Sequence, residues 1–316
     1  MSTTATPAKP KASRLAFGEK LAELGATDDN IVVLDADLAK STMSDLFAKK
    51  FPERFFEMGI AEQNLVGVAA GLALSGKTAF CCSFACFVAG RFETIKISVA
   101  YSGANVKVVG THAGVGIGPD GYSQMGLEDL ALMRTLPTME VFQPSDEIET
   151  RAVVEYMAKS KAPGYLRLTR QNLKPMHDAS YTFVPGKLDV LREGKDVAIF
   201  ATGGATQNAF DAVALLSASG IDAAVVNVPS IKPMDRAGVH AWAKKVPLIV
   251  SVEDHNVLGG MGGAVAEVLA EVGGARLHRH GIHDVFGESG SPEALYKKFK
   301  LDPEGIAEVV KQALGK

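Results

Sequence analysis

Glu62 sits near the start of MGIAEQNLVGVAAGLA (residues 58–73), a segment made mostly of small and apolar side chains. At a 3.6-residue period, positions 62, 65, 66, 69, 70 and 73 share one helix face. That face holds Leu65, Val66, three alanines and one carboxylate. The bland reading is a charge favouring the positive end of its helix. The chemical reading is a carboxylate placed to share a proton with a group brought in from outside.

Other chemically capable residues follow β-branched runs. Asp35 and Asp37 follow IVVLDAD (31–37), with Ser41 just beyond. Phe84 and Phe87 end TAFCCSF (78–84), His112 ends VKVVGTH (106–112), and Arg170 ends YLRLTR (165–170). Singly, each reads as a turn residue, a core aromatic or half of a surface ion pair. Together they gather carboxylates, an imidazole, a guanidinium and aromatic rings at one edge of one sheet. Open parallel sheets bind ligands beyond the carboxyl ends of their strands.

The elements that must position these residues alternate along the chain. RFFEM (54–58) and MEVFQPSD (139–146) add two more strands. Helical patterns fall at 15–25, 61–75, 88–101, 126–134 and 146–160. Such alternation predicts a mostly parallel sheet covered on both faces. Residues 171–195 are polar, Pro-containing and aperiodic, with a short YTFV strand, and read as a linker region. Alternation then resumes, with strands at 196–204, 222–230, 247–255 and 276–282 and helices near 206–219, 235–244, 260–271 and 302–314. Ser291-Pro292 has the form of a helix cap followed by a first-turn proline. The expected fold class is therefore α/β, with two doubly wound α/β domains. They span 13–175 and 195–316, joined by a linker at 176–194 and preceded by a disordered N-terminus at 1–12.

Several function classes find no support. A net charge of −3 over 316 residues gives no electrostatic case for nucleic acid or an anionic membrane. The most apolar region, 65–90, is broken by Lys77, and the first fourteen residues lack an apolar signal core, so cytoplasm is the default location. Cys81, Cys82 and Cys86 are too clustered for a disulfide framework and lack paired zinc spacing, so no metal ligand is assigned to this chain. Gly116, Gly118 and Gly121 match GxGxxG, but Pro119-Asp120-Gly121 forms a turn rather than opening a helix, so a dinucleotide site is a weak reading. The glycines of NVLGGMGGAVAEVL (256–269) are explained by close backbone packing.

Five ordered stretches carry a resemblance. They are LDADLAKST, GIAEQNLVGVAAGLA, THAGVGIGPDG, LTRQN and GIHDVFGESGSPEALYKKFKLDPEGIAEVV. The chain resembles the C-terminal half of a transketolase over roughly residues 12–316. The resemblance implies a pyrimidine-binding domain followed by a transketolase-type C-terminal domain. It implies thiamine diphosphate as cofactor, with Glu62 bonded to its aminopyrimidine ring, Phe84 and Phe87 against that ring, and Asp37 also at the cofactor site. Arg14, Ser41, His112 and Arg170 match positions that hold a sugar-phosphate tail, and Asp120 matches an aspartate near a substrate hydroxyl. The implied reaction transfers a two-carbon ketol unit from a ketose phosphate to an aldose, with Glu62 as the catalytic residue.

Two departures qualify the resemblance. DGYSQ (120–124) places Gln124 where the family has a histidine, and an amide cannot act as a general acid or base. The family's diphosphate- and metal-binding domain is not in this sequence. The resemblance therefore implies an N-terminal partner subunit carrying the ligands of Mg²⁺ or Ca²⁺, an assembly such as a heterotetramer, and no turnover by this chain alone. Within the same domain pair, a 2-oxoacid dehydrogenase β-subunit and a 1-deoxyxylulose-5-phosphate synthase-like enzyme are the alternatives. A non-catalytic assembly paralogue is the alternative of another class, and Gln124 is its best support.

Overall fold

The structure, a computed structural model, describes residues 9–316. In chain order the strands are β1 (Lys11–Ala12), β2 (Ile31–Asp35), β3 (Phe55–Glu57), β4 (Thr78–Phe84), β5 (Val106–Thr111), β6 (Glu140–Phe142) and β7 (Gly164–Arg167). Then come β8 (Asn172–Leu173), β9 (Asp189–Arg192), β10 (Val197–Ala201), β11 (Ala223–Asn227), β12 (Ser230–Lys232), β13 (Leu248–Asn256) and β14 (Arg276–Ile282). A seven-stranded sheet runs β12-β6-β7-β5-β4-β2-β3 and a five-stranded sheet runs β14-β13-β10-β11-β9. Each is parallel apart from one antiparallel edge strand, β12 in the first and β9 in the second. The α/β expectation and the pairing of two such units hold.

Helices on both faces explain the composition of the central strands. Every residue of β2, β4 and β5 is buried, so these strands are mostly apolar without strict alternation, and the buried Lys107 of β5 is satisfied by the Ser160 and Ala162 carbonyls. The helix Glu62–Leu74 buries Glu62, Leu65, Val66, Ala69, Ala70 and Ala73, the stripe its periodicity predicts. The two sheets share one core. Leu65, Val106 and Val141 belong to the same apolar cluster as Phe200, Val226 and Trp242. The second half of the chain also supplies β12, whose Ser230 pairs with Phe142 on the edge of the first sheet.

Four local expectations need correction. Residues 1–8 of the proposed disordered lead-in lie outside the described residues, but Lys11–Ala12 pairs with Asn172–Leu173 and Ser13 opens a helix. Lys11 is anchored by Glu19 and Glu147, which gives this segment a partner that its composition did not reveal. The stretch at 176–194 contains β9, which adds antiparallel to β11. Residues 181–184 are not a strand. There Tyr181 donates to Glu149 and Phe183 packs edge-on against Phe142, so side chains rather than a ladder hold the segment. The helix expected at 88–101 divides into Ala85–Ala89, Phe92–Thr94 and a π-helical Ile95–Tyr101, with Gly90 at the first break.

Candidate active site

The carboxyl ends of β2, β4, β5 and β7 bring most of the expected residues to one edge. Glu62 opens its helix and is 8% exposed. Among the described residues its side chain makes one hydrogen bond, from Ser83 Oγ at 3.4 Å. A buried carboxylate ordinarily collects several donors. Glu62 thus retains acceptor capacity at the edge of an apolar stripe. Beside it, Phe84 and Phe87 lie nearly parallel, with ring centroids 5.7 Å apart and planes 7° apart. His112 stacks on Phe84 at 3.9 Å.

Asp35 and Asp37 have different fates. Asp35 is fully buried and accepts from Leu38 N, Thr42 Oγ1 and Ser44 Oγ at 2.7, 2.7 and 2.9 Å. Burial pushes its carboxyl up to about 6 against those donors. It is a loop anchor, in keeping with the turn-residue reading open to it from the sequence. Asp37 is exposed and left-handed, at φ 63°, with its backbone N–H held by Glu57 at 2.7 Å.

Asp35 fixes the loop that carries Ser41, and the Ser41 carbonyl accepts from Arg14 Nη1. Ser41 therefore meets the pocket through its backbone rather than its hydroxyl. Arg14, Met43, Ile117, Arg170 and Gln171 are among the residues lining a cavity of about 450 Å³. Arg170 donates to the Ile117 carbonyl at 2.9 Å and pairs with Asp120 at 3.6 Å. Burial, with Arg170 nearby, lowers the Arg14 guanidinium from its usual range. Among the described residues its Nε is buried without a partner. Among the described residues Arg170 has a carboxylate partner and Arg14 has none, so the cavity keeps a net positive charge that suits an anion.

His112 also lies within the field of both arginines. Burial first, then Arg14 and Arg170, lowers its imidazole to about 3, so it is neutral at pH 7 and offers a hydrogen bond rather than a charge. Its Nδ1 is 2.9 Å from Thr111 Oγ1. His112 is left-handed at φ 58° and Met43 at φ 68°. With Asp37 they account for three of the six non-glycine residues with positive φ among the described residues. Backbone strain of this kind clusters where side-chain placement matters.

Gln124 is half-buried and makes no side-chain hydrogen bond among the described residues. It lies in the 3₁₀ turn Tyr122–Gln124, two residues from Tyr122, whose ring packs on Phe286. The glycine loop before it is not a phosphate cradle. Its Val115 and Gly116 N–H groups donate to Asp254 at 2.8 and 3.3 Å. Residue-type reasoning missed Asp254, Gln171 and Tyr296. Asp254 stands in the strand-end sequence IVSVEDH, so the strand-end rule used for the first sheet would find it in the second.

Glu149, His177 and Asp189 also place ligand-type atoms together. Both His177 ring nitrogens face carboxylates, Asp146 at 3.0 Å and Asp189 at 2.8 Å, so both carry protons and neither has a lone pair for a metal. Glu149 accepts from Ser145, Tyr181 and Asn227.

Known proteins resemble this arrangement throughout the chain. Residues 9–176 match the transketolase pyrimidine-binding domain and residues 186–306 the transketolase C-terminal domain. A solved split-gene transketolase, described as an inactive β4 tetramer, superposes with a TM-score of 0.89 at 48% identity, covering 96% of this chain and 98% of that one. One of the subunits of an apulose-4-phosphate transketolase from Actinobacillus succinogenes is 38% identical over 89% of this chain and 91% of its own length. The 6-deoxy-6-sulfo-D-fructose transketolase subunit SqwH from a Clostridium species is 39% identical over 92% and 90%. Among the described residues, no helix is long and apolar enough to cross a membrane.

Proposed function

The chain belongs to the transketolase family, and from that premise we propose that it is the C-terminal subunit of a two-subunit transketolase. In this reading it moves a two-carbon ketol unit from a ketose with an anionic tail to an aldose, using thiamine diphosphate shared with its partner. The single observation carrying the reading is Glu62, buried and held by one long hydrogen bond.

The residues fit the aminopyrimidine of thiamine diphosphate. Glu62 has acceptor capacity for a ring N–H, and the parallel rings of Phe84 and Phe87 stand beside it. When bound, thiamine diphosphate supplies an electron sink for cleaving the bond next to a ketol carbonyl. Glu62 accepts and shares a proton at the ring nitrogen. Phe84 and Phe87 exclude water from that carboxylate and orient what lies against it. Asp37 lies at the same edge, presented by its left-handed backbone.

Arg14, oriented by the Ser41 carbonyl, and Arg170 hold the anionic tail by charge, while neutral His112 stands beside it. Asp120 and Gln124 stand on the loop nearest the chain of substrate hydroxyls. Gln124 there can donate and accept hydrogen bonds but cannot carry a proton. Relatives named for a phosphorylated and a sulfonated ketose support an anionic tail as the shared feature of the donor.

The N-terminal partner would bind the diphosphate and its Mg²⁺ or Ca²⁺. Exposed apolar side chains support its presence. Ile60, Leu74, Ile97 and Tyr101 are 84, 64, 52 and 86% exposed; Ile60 precedes and Leu74 ends the helix that carries Glu62, while Ile97 and Tyr101 lie on the π-helical turn. Large apolar side chains exposed in this number are commonly covered by another protein surface. The test is reconstitution with that partner, thiamine diphosphate and Mg²⁺. Ketol transfer from xylulose 5-phosphate or a sulfonated ketose is expected. Activity confined to 2-oxoacid decarboxylation would assign the dehydrogenase reading instead.

A further inference from the structure

The second sheet and its helices reach into the wall of the anion pocket through two side chains. Asp254, in β13, is 5% exposed and accepts from Val115 N at 2.8 Å, Gly116 N at 3.3 Å and Tyr296 Oη at 3.1 Å. Tyr296, on the helix Pro292–Lys298, accepts in turn from Gln171 Nε2 at 3.1 Å. Gln171 follows Arg170, and Arg170 donates to the Ile117 carbonyl at 2.9 Å. The contacts close into a ring: loop 115–117, Arg170, Gln171, Tyr296, Asp254 and back to the loop.

Close approach makes the ring selective about sequence. A Cβ on Gly114, which has φ 84°, would stand 2.1 Å from Asp254 Oδ2, and one on Gly116 would stand 1.5 Å from Gln171 Nε2. The loop is glycine-rich here because a carboxylate and an amide from other elements press on it. Arg167 pins the far end, donating to the Gly126 carbonyl at 2.8 Å and to the Asp254 carbonyl at 2.9 Å. Among the described residues Arg14 Nε and Gln171 Oε1 are buried without partners, and both residues line the cavity.

The geometry points to Asp254 and Tyr296 as positioning residues for the anionic tail of the donor. They hold the Ile117 carbonyl and Asp120 where these two turn the Arg170 guanidinium into the pocket. The C-terminal domain thereby sets affinity for the tail while touching neither cofactor nor reacting carbon. This inference rests on the ketol-transfer reading above.

The experiment uses the reconstituted two-subunit complex with Tyr296→Phe, which removes one hydroxyl, and Asp254→Asn. Two donors are compared, a ketose phosphate and hydroxypyruvate, which has no tail. For Tyr296→Phe, loss of the hydroxyl's bonds to Asp254 and Gln171 is expected to raise KM for the phosphorylated donor about ten-fold. Its kcat, and kcat/KM for hydroxypyruvate, should stay within about two-fold of wild type. Equal losses for both donors, or no change for either, would overturn the inference. Titration of the chain with inorganic phosphate, read by calorimetry, is the activity-independent arm. Tyr296→Phe should weaken phosphate binding about ten-fold, because the ring that orients Arg170 loses two of its hydrogen bonds. Unchanged phosphate affinity overturns the inference even if Asp254→Asn fails to fold. A wild-type complex silent with both donors would refute ketol transfer, and the phosphate arm would still decide the role of Tyr296.

Discussion

A carboxylate on a buried helix face is unfavourable unless donors surround it. Glu62 has one distant donor, so the folded chain gains little from keeping it. Glu62→Leu should therefore raise the thermal midpoint by roughly 2–4 °C while removing ketol transfer, a trade common at functional sites. Differential scanning calorimetry beside the transfer assay checks both halves. Neutral His112 makes a second residue-scale prediction. With its imidazole near 3, its Cε1–H chemical shift should stay constant from pH 5 to pH 8. A titration near pH 6.5 would show that burial and the two arginines do not suppress its charge. At this scale Glu62 was legible because helix period alone put a charge on the apolar stripe. Asp35 was not, because a strand-end aspartate spent on Thr42 and Ser44 has the same sequence appearance as a free one.

The elements turn those residues into a site. The loop after β2, held by Asp35, presents the Ser41 carbonyl to Arg14, while the loop after β5, held by Asp254, presents the Ile117 carbonyl to Arg170. Arg14→Ala and Arg170→Ala should each raise KM for a phosphorylated donor about ten- to one-hundred-fold, the range of a lost charge-assisted hydrogen bond. Steady-state kinetics with hydroxypyruvate as control separates this from general damage. The segment between the two sheets is tied down by a histidinium. His177 is gripped by Asp146 and Asp189, which raise it to about 10 against the opposing effect of burial. Because its folded value lies above the unfolded 6.5, its contribution is complete below pH 6.5 and fades as pH rises through about 10. His177→Gln should lower the thermal midpoint at pH 6.5 by several degrees and flatten its fall between pH 6.5 and 10. The strands of both sheets were legible from their β-branched runs. The ties at Lys11, His177 and Asp254 were not, since each joins residues distant along the chain.

For the whole molecule, two parallel sheets share one core, and the second sheet lends β12 to the first. Burial also sets how the molecule responds to pH. Desolvation lowers His112 to about 3 and His255 and His280 to about 4. Depressed folded values for bases mean stability is lost as pH falls from 6.5 toward those values. Together with His177 on the alkaline side, these histidines place their combined stability maximum near pH 6.5, which a series of thermal melts from pH 4 to pH 10 would reveal. Ile60, exposed just before the helix that carries Glu62, and the exposed Tyr101 are where the proposed partner would be expected to pack. The central claim is that this carboxylate serves a cofactor completed by another subunit. Its most direct test is ketol transfer by the reconstituted complex with wild-type chain and with Glu62→Gln. The expected result is a loss of at least about one-hundred-fold in kcat, the scale of a missing proton-sharing group, with an unchanged fold by circular dichroism. Full activity in the Glu62→Gln complex would contradict it.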